Sequence, residues 1–191
     1  GHLQVGYNSF GWGQTAQFPQ IYAGFGVDFV IAAKHVNKKR APYSEFLWTA
    51  PDGTQVLTSR LGKDARANFF MNSYIKIMFD KEYKTPEYNY TYGQNGMLYH
   101  EANAGEAYKD YFNMFSNEKN IKEGFIKAWD AAEESVYKDE RLIMNGSDFS
   151  TPQPYLTEIL RKGNEMFDDL EFKSSTLEEY VDTLKKHIDM S

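Results

Sequence analysis

The stretch from Val5 to Val36 constrains this chain most. A short apolar run, Leu3-Gln4-Val5-Gly6-Tyr7, enters a turn of small and aromatic residues, Asn8 to Gly13. A helix-like segment from Thr15 to Ala23 follows, and Gly24-Phe25-Gly26 breaks it. Asp28 to Ala32 then reads as a buried strand. Strand, turn, helix, glycine break and strand spell a βαβ unit, and such units build parallel sheets. The right-handed crossover places the Val5 and Val30 strands as neighbours or one strand apart. Parallel sheets take ligands beyond the carboxyl ends of their strands. Here those ends are Asn8 to Gln14 and Lys34-His35.

The rest of the chain adds a hairpin and several helices. Ser44 to Ala50 and Gln55 to Leu61 flank Pro51-Asp52-Gly53, a turn signal that pairs two strands. Ala65 to Met78 is apolar without a clear period. Asp80 to Asn103 is polar and rich in tyrosine, a length that points to a functional loop. Helical spacing returns at Ala107, Tyr108, Tyr111, Phe112 and Phe115. It recurs from Ile121 to Val136, with Asn120 and Glu123 as a cap. Arg141 to Met144 and Glu171 to Lys173 read as short strands. Pro152 and Pro154 open a helix carrying Leu156, Ile159, Leu160 and Phe167. Thr176 and Glu179 form a capping box for a last helix with Leu177, Tyr180, Val181, Leu184 and Ile188 on one face.

Composition excludes several function classes. The 191 residues carry a net charge of -6, and no basic face stands out beyond Lys34 to Arg40, which argues against nucleic acid. The chain has no cysteine, hence no disulfide or thiolate chemistry. No apolar run is long enough to span a membrane, and no signal peptide is visible, so the expected location is cytoplasmic. Aromatic residues reach 16%, which suits either a large core or a surface that stacks sugar rings.

The candidate site residues follow from these strand ends. Asp148 comes after a short apolar run and Gly146, where it serves as general acid, metal ligand or hydroxyl acceptor, or else caps the next helix. Lys34 follows the second strand and suits a carboxylate or a ring hydroxyl, or merely begins a basic loop. Trp12, between two glycines, suits a sugar-stacking platform as well as a core position. His100-Glu101 is an acid–base pair whose members point apart on an extended chain. His187 belongs to a solvated helix face. No zinc-protease, dinucleotide or phosphate-loop motif occurs.

Five stretches in order resemble glycoside hydrolase family 38, the α-mannosidases. Trp12-Gly13-Gln14-Thr15-Ala16-Gln17-Phe18-Pro19-Gln20 is similar to the family's Phe-Gly-His-x-x-Gln-x-Pro-Gln run. Gly24-Phe25-Gly26-Val27-Asp28 resembles Gly-Phe-Gly-Ile-Asp. Ser44-Glu45-Phe46-Leu47-Trp48 with Pro51-Asp52-Gly53 resembles the family's Ser-Glu-Phe-x-Trp-x-x-Pro-Asp-Gly hairpin. Leu142 to Asp148 resembles its Met-Asn-Gly-x-Asp strand end, and Ser175 to Tyr180 its Ser-Ser-Leu-Glu-Asp-Tyr helix start.

The resemblance implies an α/β fold, part of a distorted β/α barrel with a mainly parallel sheet. It implies a partial catalytic-type domain over residues 1–175 and an exit helix over 176–191 toward a helical domain. It further implies a retaining mechanism on mannose-containing oligosaccharides, with zinc and two carboxylates. The family's nucleophile falls at Phe10 in one register and at Asn8 in the other, and neither is a carboxylate. Asn8 still offers an amide oxygen to a ligand. Lys34 stands where the family has an arginine, which keeps the charge without the bidentate fork. Asp80 answers to the acid/base carboxylate only by rough position. The zinc ligands His-x-Asp and His-Asp have no counterpart within the chain. The expectation is therefore an inactive part of an α-mannosidase that binds no zinc alone. The alternative is a carbohydrate-binding domain that has lost the nucleophile.

Overall fold

The computed structural model describes residues 4–8, 15–32, 36–80, 82, 118–146, 153 and 155–188. They divide between two compact units. The first comprises Gly1–Ala65, Ala132–Leu142 and Ser175–Ser191, and the second Arg66–Ala131 and Ile143–Ser174.

The first unit is built on a mixed, mostly parallel sheet. Strands β1 (Val5–Asn8), β2 (Phe29–Ala32), β3 (Glu45–Thr49) and β4 (Gln55–Ser59) lie in the order β1-β2-β4-β3. Strand β2 pairs parallel with both β1 and β4. Strand β3 pairs antiparallel with β4, closing the expected hairpin. The adjacency of Val5 and Phe29 in register bears out the parallel reading of the first βαβ unit. Helix α1 (Phe18–Gly24) forms the crossover, entered through Pro19 in its first turn. It starts three residues later than its helical spacing suggests, because Thr15 and Gln17 form a turn instead.

Strand β2 is apolar on both faces, and all four of its residues are buried. This is the pattern of an inner strand in a parallel sheet. Val27, Val30 and Val56 pack with Tyr22 of α1. The C-terminal helix of this unit, Leu177–His187, carries Tyr180, Val181 and Leu184 buried along one side. The Tyr180 ring meets Phe29 edge-on at 6.5 Å. Thr176 caps that helix by accepting a hydrogen bond from the Glu179 amide at 3.1 Å, as the capping motif requires. The cap stands as read from sequence, and so do Tyr180, Val181 and Leu184 of the expected stripe, whereas Ile188 lies just past the helix end in an extended conformation.

The second unit is helical. The undecided run from Ala65 to Met78 begins with a 3₁₀ turn, Ala65–Ala67, and a π-helical turn, Phe70–Tyr74. Helix α2 (Ile75–Phe79) follows directly. This change of pitch obscures any 3.6-residue period in the sequence. Helices α3 (Glu118–Asp130) and α4 (Leu156–Asn164) complete the unit's described helices, which makes the C-terminal helix α5. The core gathers Phe69, Phe70, Tyr74, Ile75, Ile121, Phe125, Ile159 and Phe172. Two glycines permit its helices to approach. A Cβ on Gly124 would stand 3.0 Å from the Ser73 backbone, and one on Gly163 only 2.1 Å from the Phe125 ring.

Four local expectations need correction. Helix α3 already spans Glu118, so Asn120 lies inside it and does not cap it. Its buried amide instead donates to the Asp80 carboxylate at 2.9 Å. The helix also stops at Asp130, short of Val136, where residues 131–140 turn. Arg141 to Met144 and Glu171 to Lys173 form no strands. The Phe69 amide donates to the Met144 carbonyl at 3.0 Å. At Phe172, the Asn164 side chain takes the place of a partner strand, bonding both the backbone amide and the carbonyl at 2.8 Å.

Candidate functional site

Parallel pairing brings the carboxyl ends of β1, β2 and β4 to one edge of the sheet. Asn8 stands at that edge, level with Ala32, while Ser59 is level with Ile31. Strand β3 runs the other way, so its first residue, Glu45, joins the same edge opposite Ser59. Asn8 is half-buried, as befits a polar residue at a strand end.

Beneath this edge lies a buried polar floor. The Glu45 carboxylate is 5% exposed and accepts four hydrogen bonds. Its donors are the hydroxyls of Ser59, Ser135 and Tyr180 and the Val136 amide, the last at 2.8 Å. A carboxylate so held is satisfied without a cation. Tyr180 shows the reciprocal effect: burial, then the Glu45 charge, push its phenol far above the usual tyrosine range. Both groups fasten β3, the segment after Ala132 and α5 together.

The second part of the floor is an ion pair. Arg60, 6% exposed, donates to the carbonyls of Ala41, Pro42 and Leu61 and to the Glu134 carboxylate. Lys38 reaches the other Glu134 oxygen at 2.9 Å. Burial would raise the Glu134 carboxyl, but hydrogen bonds from Arg60 and Lys38, with their charges, outweigh it and hold it below the usual glutamate range. Backbone bonds continue the ladder here: Arg60 donates to Ser44, and Ser44 to Glu134, each at 2.8 Å. Glu45, Arg60 and Glu134 are thus bound up in shaping the edge. Sequence reasoning passed over them. The available signal was a charged residue on each arm at the open end of an apolar hairpin, Glu45 and Arg60.

Of the residues expected to act, Asn8 and Asp80 lie among the described ones. Asp80 belongs to the second unit, where it ends α2 in a left-handed conformation with φ of 50°. Its carboxylate receives Lys76 and Asn120, each at 2.9 Å. Glu82 and Glu123 stand farther out around the same ammonium, at 3.9 and 3.7 Å. Lys76 is raised above its usual range, first by the Asp80 hydrogen bond, against an opposing effect of burial. These contacts suit an anchor for the end of α2. Trp12, Lys34 and Asp148 lie outside the described residues, as do His35 and the His100-Glu101 pair. His187 is exposed and stacks on Tyr137 at 4.4 Å.

Among the described residues, no group of three or more His, Asp or Glu side chains converges to hold a metal ion. Among the same residues, no helix is long and apolar enough to cross a membrane.

The first unit is an α/β arrangement on a four-stranded, mostly parallel sheet, and comparison with known proteins gives its family. The chain matches the glycosyl hydrolases family 38 N-terminal domain over residues 2–191. It belongs to that family. A putative mannosylglycerate hydrolase of Halalkalibacterium halodurans is 24% identical over 196 residues, covering 97% of this chain and 17% of the relative. An α-mannosidase from Enterococcus faecalis V583 has a similar fold, with a TM-score of 0.65 and 18% identity over 98% of this chain. The chain spans 17% of the length of each.

Proposed function

We propose that this chain forms part of the catalytic-type domain of a glycoside hydrolase acting on α-mannosides, and that the sugar binds at the carboxyl edge of β1, β2 and β4. The family match over residues 2–191 carries the reading. The topology supports it, since an open parallel sheet offers its ligand site at that edge. The sheet is then one arc of a distorted β/α barrel, and α5 leads toward the helical domain of the longer enzyme. Mannose-containing oligosaccharides are the substrate class.

The roles follow from side-chain chemistry. Asn8 offers an amide to sugar hydroxyls, Trp12 a face for the apolar side of a pyranose ring, and Lys34 a donor to a ring or hydroxyl oxygen. Asp148 acts as the general acid. Asp80 is the weaker choice, given its bonds to Lys76 and Asn120. A retaining glycosidase also needs a carboxylate that attacks the sugar carbon and forms a glycosyl ester. The two motif registers put Asn8 or Phe10 in that place, and neither an amide nor a phenyl ring forms such an ester.

That substitution favours a second reading, a domain that binds carbohydrate without cleaving it. Zinc, where the family uses it, belongs on this account to the longer enzyme. Titrating the chain with methyl α-mannoside while following tryptophan fluorescence, and assaying p-nitrophenyl α-mannoside with added zinc, separates the possibilities. Saturable binding without turnover is expected. Any hydrolysis of the mannoside by the chain, or one tightly held zinc per chain, would show that the nucleophile position or the metal ligands have been misassigned. Absence of binding would remove the sugar site from this chain.

A further inference from the structure

The turn that leaves β4 at the carboxyl edge is strained and firmly anchored. Leu61, Asp64 and Ala65 have φ of 60°, 62° and 43°, in the left-handed region that side chains disfavour. Among the described residues five non-glycine positions have positive φ, so this five-residue stretch holds most of them. Gly62 lies within it, yet the left-handed turns fall on its neighbours. Such strain persists only where surrounding contacts enforce it, and it gathers at ligand sites.

The contacts that enforce it are visible. Leu61 is 2% exposed. Its amide donates to the Ser59 hydroxyl and its carbonyl accepts from Arg60, both at 3.1 Å. Arg60 is itself fixed by Ala41, Pro42 and Glu134. The Ala65 amide closes the turn on the Gly62 carbonyl at 3.2 Å. Between these anchors, Lys63 is exposed and Asp64 half-buried. The buried Arg60 and Ser59 thus fix the backbone of the turn that follows them.

We infer that the Leu61–Ala65 turn is a rigid sugar-contacting element, with the Asp64 carboxylate accepting hydrogen bonds from hydroxyls of the bound mannoside. The inference rests on the proposed sugar site and names a specificity residue within it. A carboxylate accepts from two neighbouring hydroxyls at once, and such charge-assisted bonds are the strong ones in sugar recognition. A turn already locked in place loses little freedom when the ligand arrives.

Calorimetric titration with methyl α-mannoside tests this, using the wild-type chain, Asp64→Asn, Asp64→Gly and Asp182→Asn. Asp182 is an exposed residue of α5 and controls for loss of one negative charge. Losing a charged hydrogen-bond acceptor should weaken binding on the order of 10- to 100-fold in both Asp64 variants. Asp64→Gly keeps the left-handed backbone conformation accessible, so the turn should hold its shape while the chain binds less sugar. Wild-type affinity in both Asp64 variants overturns the inference and leaves the sugar site standing. No binding by wild type or Asp182→Asn overturns both.

Discussion

Replacing Gly163 by alanine inserts one methyl group between α4 and the Phe125 ring. The added Cβ would lie 2.1, 2.2 and 2.6 Å from three ring carbons, where ordinary contact begins at 3.4 Å. Relief requires a shift of more than about 1 Å at the closest atom. The ring cannot simply turn aside. Phe172 sits 4.6 Å away, Phe69 5.7 Å and Phe167 6.3 Å, and Phe125 is fully buried. Overpacking of this kind costs about 1–3 kcal/mol. Alanine recovers roughly 0.5–1 kcal/mol of helix propensity, less near a helix end such as this. With three atoms inside the limit, the net effect should be a loss of about 2 kcal/mol. For a chain of this size that lowers Tm by roughly 4–8 °C.

Urea unfolding followed by circular dichroism measures the loss. Gly24→Ala is the control, since nothing lies within 4 Å of its Cβ position, and it should stay within about 0.5 kcal/mol of wild type. Adding Phe125→Leu to Gly163→Ala should restore part of the loss, a coupling that a double-mutant cycle reads directly. A Gly163→Ala chain as stable as wild type would refute the close packing of α3 and α4.

The Glu134 ion pair makes a second prediction. Glu134→Gln leaves the buried Arg60 guanidinium short of its anionic partner and should cost on the order of 2 kcal/mol at neutral pH. Because the folded carboxyl lies below its ordinary value of 4.5, the contribution is complete above that value and is lost as pH falls through the folded one. Denaturation midpoints of wild type and Glu134→Gln should therefore converge as the solution is acidified; a constant gap contradicts the assignment. Lys38→Met should cost less, because the Lys38 side chain is 69% exposed against 6% for Arg60. An equal loss would mean that Arg60 is not the main partner.

The parts of the fold legible in the sequence are those with local signals. The order of apolar run, glycine break and apolar run placed β1 beside β2 in parallel. Pro51-Asp52-Gly53 marked the hairpin turn, where Asp52 accepts from the Thr54 amide at 2.9 Å. The capping residues Thr176 and Glu179 marked α5. Segments governed by distant partners were not legible. Nothing near Phe172 announces that an asparagine eight residues earlier will satisfy its backbone. Asn120 has the residue type of a cap, but its partner is Asp80, forty positions away.

The site divides in the same way. Parallel strand ends pointed to Asn8, and the five motifs pointed to the family. The polar floor was hidden because its parts are far apart in the chain. Glu45 meets Ser135 across 90 positions and Tyr180 across 135. The left-handed turn after β4 was hidden for another reason: the glycine that would advertise it is not the residue that adopts it.

The central claim is that mannosides bind at the carboxyl edge of the parallel sheet, and backbone amide shifts under titration with methyl α-mannoside test it most directly. The expected result is saturable change at Asn8 and from Arg60 to Ala65, with Asp52 and Gly53 unmoved at the opposite end of β4. Change confined to the Asp52-Gly53 turn, or no change at any sugar concentration, would contradict it.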